Sequence, residues 1–133
     1  MKADKSFGAF RQLADGTRLQ PIETEVRLVS EVHQFGGTLD CGATIGDDVA
    51  LLDWKSGPLY ADHLYQVGGG YAILWDEQRP DMPITGGFHL CRFNRDNGDF
   101  THHYFSELAE ARRGFLLMRD LYSLDQEIRR RVK

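Results

Sequence analysis

One dipeptide, Gly46-Asp47, constrains this chain more than any other feature. Apolar runs of strand character flank it on both sides, and Gly-X is the signature of a two-residue hairpin loop. With Ile45 and Asp48 closing that loop, the register of the whole hairpin follows. Thr44 faces Val49, Gly42 faces Leu51, and Asp40 faces Asp53. Directly opposed residues point to the same side, with Cβ atoms about 4.5–5.5 Å apart. Lys55 lies two residues after Asp53, so it joins that side. Two facing carboxylates repel each other, and a shared divalent cation is the natural reason for a chain to keep them.

The second strand of this hairpin is apolar on both faces. Val49 and Leu51 share one face with Asp53, while Ala50, Leu52 and Trp54 share the other. Such a strand belongs in the middle of a sheet covered on both sides. Ahead of the hairpin, Ile22 to Ser30 alternates as a strand, with Ile22, Thr24, Val26 and Leu28 on one side. Residues 5–14 read as a short helix.

Pro58 ends the hairpin region, and Asp62 is placed to cap a helix reaching about Asp76. Gly68, Gly69 and Gly70 fall inside that helix, and each costs about 1 kcal/mol relative to alanine. Either the glycines let the helix approach the sheet closely, or the helix breaks there. Gly87 to Phe93 reads as a strand, Asp96-Asn97-Gly98-Asp99 as a turn, and Phe100 to Phe105 as the returning strand. Ser106 is placed to cap a long final helix. Leu117, Leu121, Leu124 and Ile128 form its apolar stripe, widened by Phe115, Met118 and Tyr122. The whole reads as one α+β domain over residues 1–133, a mixed central sheet flanked by helices.

The 133 residues allow one domain with a modest core. No apolar run approaches the about 18 residues of a membrane span. No signal peptide is visible, which with the two isolated cysteines predicts a reducing, cytoplasmic setting. Cys41 and Cys91 have apolar neighbours and read as buried thiols. The net charge is −4, but it is uneven. Residues 22–100 carry five basic and thirteen acidic groups, whereas residues 101–133 carry seven basic and five acidic ones. That distribution is compatible with phosphate contacts at the basic ends. A solvated, dipole-complementing tail is the alternative for Arg129 to Lys133.

The ordered set Gly37-Thr38-Leu39-Asp40, then Asp53-Trp54-Lys55-Ser56-Gly57, then Gln66 resembles the PD-(D/E)XK nuclease superfamily. The similarity is to its RecB-type and phage-exonuclease-like branch, and it runs from about Glu25 to Trp75. The resemblance implies a restriction-endonuclease-like core, here with a short N-terminus, and an origin in a phage or mobile element. It implies Asp40 and Asp53 as ligands of Mg²⁺ or Mn²⁺, with the Trp54 backbone carbonyl adding a ligand. Lys55 would be the catalytic lysine and Gln66 the helix residue that helps build the site. Relatives carry a Glu or His on a helix before the first strand. Residues 1–20 have neither, so Glu25 is the candidate substitute. A tyrosine usually follows the Gln at an interval of four; Tyr71 follows at five. Candidate nucleic-acid contacts are Arg112, Arg113, Ser56 and Tyr71.

The expected function is therefore metal-dependent hydrolysis of DNA phosphodiester bonds, exonuclease-like. The alternative is a catalytically weakened nuclease fold that binds nucleic acid or a partner protein. A homo-oligomer or partner chain is expected to complete the short N-terminal part of the site. His102 and His103 are adjacent on a strand, so they face opposite sides, which argues against a shared metal.

Overall fold

A computed structural model describes residues 19–94 and 96–133. The helix expected over residues 5–14 lies outside the described residues. Five strands form one sheet in the order β1-β2-β3-β4-β5. They are β1 (Leu19–Ser30), β2 (Phe35–Ile45), β3 (Asp48–Ser56), β4 (Phe88–Phe93) and β5 (Phe100–Phe105). β3 and β4 are parallel, and every other neighbouring pair is antiparallel. A parallel pair needs a crossover, and a helical stretch over residues 61–78 provides it. That stretch comprises α1 (Ala61–Leu64), a π-helical segment (Tyr65–Tyr71) and α2 (Ala72–Gln78). A long helix, α3 (Ala109–Val132), closes the chain. The fold is α+β, a mixed sheet with helices. No described helix is long and apolar enough to cross a membrane.

The hairpin register is the expected one. Ile45 pairs with Asp48, Thr44 with Val49 and Gly42 with Leu51. Gly46 takes a φ of 64°, which a glycine adopts without the Cβ clash of other residues. β3 sits between β2 and β4, and both its faces are buried. Leu51 packs with Leu28, Leu39, Val67, Leu74 and Trp75 on the helix side. Ala50 and Leu52 pack with Leu19, Cys41 and Ala43 on the other. Both cysteines are buried, as their neighbours implied.

Strict alternation fails in the β1–β2 pair, whose register shifts between Pro21 and Glu23 and whose faces switch again at Asp40. Leu39 and Cys41 are two apart, yet they belong to clusters on opposite sides of the sheet. Across from Asp40, between the pairs Thr24↔Cys41 and Val26↔Leu39, Glu25 has a φ of 49°. That left-handed kink breaks the period of β1, and Thr24 is exposed while Val26 and Leu28 stay with the core. Simple alternation across Ile22 to Leu28 is corrected accordingly.

Three helix expectations also need correction. Tyr60, not Asp62, is the N-cap of α1, and Asp62 lies within the first turn. α3 begins at Ala109 rather than after Ser106, with the Glu107 carboxylate accepting the Ala109 N–H at 2.7 Å. The stripe on α3 is not packed against the sheet. Leu117, Leu121, Leu124 and Ile128 are all at least 60% exposed, so only the first turns of α3 belong to the core.

The glycine triplet does not break the helix. It is the π-helical segment, and its bare positions receive α3 rather than the sheet. A Cβ on Gly68 would lie 2.4 Å from Leu108 Cβ, and one on Gly69 would lie 2.5 Å from Phe115 Cβ. Close helix packing is what offsets the low helical propensity of three glycines.

Candidate functional site

Asp40 and Asp53 meet where β2 and β3 part. In the hairpin register, Leu39 and Trp54 would exchange backbone hydrogen bonds. Instead the Trp54 N–H donates to Asp40 Oδ2 at 3.0 Å, so the Asp40 carboxylate enters the gap. Asp53 is 1% exposed, at the end of the buried central strand. Among the described residues, neither of its carboxylate oxygens has a hydrogen-bond partner. Lys55 Nζ lies 3.5 Å from Asp53 Oδ2, an ion-pair distance too long for a hydrogen bond.

These neighbours set the acidity of Asp53. Burial pushes its carboxyl up to about 7, and the adjoining Asp40 carboxyl pushes the same way. The Lys55 ammonium works against both and does not prevail. A carboxylate sealed from water, facing a second carboxylate and lacking donors to either oxygen, is an arrangement that costs stability.

Tyr71 adjoins the two carboxylates, and Gln66 adjoins Tyr71. An i→i+5 turn is wider than an α-turn, so residues five apart come into line. The π segment runs from Tyr65 to Tyr71, which brings the Gln66 amide within reach of the Tyr71 phenol. Burial raises the Tyr71 hydroxyl to about 12, with the Asp53 and Asp40 charges adding to it and Gln66 opposing. The interval of five that departs from the family's interval of four is therefore accommodated by one extra residue in the turn. The signal was present in the sequence as that odd interval beside a glycine triplet.

The donor set suits a hard divalent cation. Mg²⁺ is held by one or two carboxylates, with water and substrate phosphate completing its shell. Asp53 brings two unpartnered oxygens and Asp40 brings its own carboxylate beside them. A cation would compensate the repulsion that Lys55 leaves unrelieved. Among the described residues, no group of three or more His, Cys, Asp and Glu side chains is placed to hold a metal ion. Glu25, expected as the substitute third ligand, is exposed, and among the described residues it forms no such group with Asp40 and Asp53.

The expected nucleic-acid contacts divide. Tyr71 faces the carboxylates, and Ser56 lies half-buried at the end of β3, paired with Phe93. Arg112 is engaged elsewhere, its Nη1 2.6 Å from Asp76 Oδ2, while Arg113 is exposed. Arg129 and Arg130 are held by Asp125 and Glu127 of their own helix. His102 does not bind beside His103. It turns to His89, Nε2 to Nδ1 at 2.7 Å, and burial lowers both imidazoles, that of His89 to about 4. Sequence reading missed the ring cluster of Phe35, Tyr65 and Phe115 beside Gln66, because three separate segments supply it.

Comparison with known proteins concerns the fold alone. No protein-family model matches the chain, and no curated protein does. The crystal structure of SSO0001 is similar to it, at a TM-score of 0.50 and 16% identity, over 85% of this chain. The chain spans 56% of the SSO0001 chain, whose name carries no activity.

Proposed function

We propose that the chain is a metal-dependent nuclease acting on DNA, with Asp40, Asp53, Lys55 and Gln66 as its working residues. One observation carries the reading: a buried, unpartnered carboxylate, Asp53, faces a second carboxylate with a lysine 3.5 Å away. Asp40 and Asp53, with the Trp54 carbonyl, would hold Mg²⁺ or Mn²⁺. When bound there, the cation would polarise a phosphoryl oxygen and make a water nucleophilic near neutral pH. Lys55, 32% exposed at the mouth, would meet the negative charge that grows on the scissile phosphate. Gln66, fixed against Tyr71, would position the attacking water or a non-bridging oxygen. The burial of Asp53 excludes bulk water, which strengthens each of these interactions.

The test is incubation with linear, circular and single-stranded DNA, with and without each metal. Lys55→Ala should abolish cleavage while retaining most of the DNA affinity, because its interaction is realised mainly in the transition state. Loss of linear but not circular substrate would make the activity exonucleolytic.

A second reading is a nuclease-fold module that binds nucleic acid or a partner without cutting. It is favoured by the lack, among the described residues, of a third ligand beside Asp40 and Asp53. Binding of DNA by the wild type with no cleavage at high protein concentration, in either metal, would select it. Restoration of cleavage on mixing with a second chain would instead place the missing ligand in that partner.

A further inference from the structure

Beside the carboxylate pair opens a cleft of about 350 Å³. Its floor is Gly37 of β2, where an added Cβ would lie 3.0 Å from the Tyr71 ring. Its walls are rings: Tyr65 and Tyr71 from the crossover helix, Phe35 from β2 and Phe115 from α3. Phe35 and Phe115 pack with centroids 4.9 Å apart. The Arg119 guanidinium braces the outside of Phe35, 5.7 Å from its centroid, while donating to the His33 and Gln34 carbonyls. The wall is therefore fixed.

The lining chemistry selects an occupant. Among the described residues no lysine or arginine lines the cleft, and Asp62 stands at its edge, so this lining disfavours a phosphate. Flat aromatic faces and the Gln66 amide, which both donates and accepts, suit a neutral heteroaromatic ring. The volume falls in the range of small-ligand pockets, about 300–1,000 Å³. Gln66 and Tyr71 line this cleft, and Tyr71 also feels the charges of Asp40 and Asp53. A molecule with an anionic group at Lys55 and a flat ring a short distance away fits both halves at once.

We propose that the cleft is a nucleobase subsite, seating one unstacked base of the strand whose phosphate lies at Asp40 and Asp53. The inference rests on the nuclease reading for the placement of the phosphate. A base inside a duplex is stacked on both faces and must be extruded to enter, at a cost of unpairing. The favoured substrate is thus a single strand or a frayed end. Stacking depends little on which base is present, so the subsite imposes little sequence preference.

Binding is measured in EDTA with the whole chain and a single-stranded oligodeoxynucleotide of about ten residues, the site size of small strand-binding modules. An abasic residue is walked along it, and 2-aminopurine replaces each base in turn. At one position the 2-aminopurine emission should be quenched, and the abasic probe should bind about ten- to a hundred-fold more weakly. Tyr65→Leu removes one wall, and Met118→Trp plugs the mouth at a side chain that is 46% exposed and so tolerates the change. Both should weaken binding of the base-containing probe and leave the abasic probe unchanged, with melting temperatures close to that of the wild type. Base-dependent binding without cleavage in Mg²⁺ or Mn²⁺ supports the subsite and overturns the nuclease reading. Cleavage that persists while every abasic probe and both variants bind as the wild type does overturns the subsite alone. Absence of binding to any probe overturns both.

Discussion

Replacing Asp53 by asparagine should stabilise the metal-free protein at neutral pH, although Asp53 is among the most buried side chains of the fold. The substitution keeps the shape, removes a buried charge and adds an amide N–H able to donate to the Asp40 carboxylate. In the native state the Asp53 carboxyl is raised from 3.8 to about 7. Between those values the native state holds a proton that the unfolded chain has released. Stability therefore falls as pH rises from about 4 to about 7 and is level above that. At about 1.4 kcal/mol per unit, the three-unit rise sets a ceiling of about 4 kcal/mol.

His89 runs the other way. Its imidazole is lowered to about 4, so its contribution grows with pH up to about 6.5. The wild-type curve alone would mix the two, whereas the difference between wild type and Asp53→Asn cancels His89. Urea midpoints at half-unit intervals from pH 4 to 9, in EDTA, give that difference. It should be small at pH 4 and favour the variant increasingly up to pH 7. Adding Mg²⁺ or Mn²⁺ at pH 8 should then raise the wild-type midpoint and not that of the variant, since a ligand held only by the native site stabilises it. A pH-independent difference, or a variant less stable at pH 8 than at pH 4 relative to wild type, would refute the reasoning.

Gly69→Ala should lower stability by about 1–3 kcal/mol by urea denaturation, against the usual helix gain of about 1 kcal/mol for alanine. The added methyl would sit 2.5 Å from Phe115 Cβ and 3.0 Å from the Ala111 carbonyl oxygen. Leu121→Ser and Leu124→Ser, at positions 66% and 63% exposed, should each change the stability of the monomer by no more than about 0.5 kcal/mol. Leu52→Ala, at a side chain 0% exposed, should cost about 2–5 kcal/mol in the same assay. Cys41 and Cys91, raised by burial to about 11 and about 12, should react with a disulfide reagent at pH 8 only as fast as the chain opens.

Local signals carried much of the fold. Gly46 could take a positive φ, and that single turn fixed the β2–β3 pairing from Ile45↔Asp48 to Cys41↔Leu52, because strand periodicity is two. The doubly apolar pattern of Val49 to Trp54 determined that β3 is central, since only a covered strand keeps apolar side chains on both faces. The pairing of Asp40 with Asp53 and Lys55 followed from these two facts alone.

What the sequence could not determine depended on contacts between distant segments. The left-handed Glu25 broke the alternation of β1, although its local pattern is that of an ordinary strand. The glycine triplet was legible as an anomaly, yet its meaning required Leu108 and Phe115 of α3, some forty residues on, to fill the space. The apolar stripe of α3 had the spacing of a core helix, and only tertiary packing showed that most of it lies off the body. Periodicity records which side chains share a face; it carries no record of what, if anything, lies opposite. For the same reason the cleft of Phe35, Tyr65, Tyr71 and Phe115 was invisible in the chain, being a void made by where three segments stop short of one another.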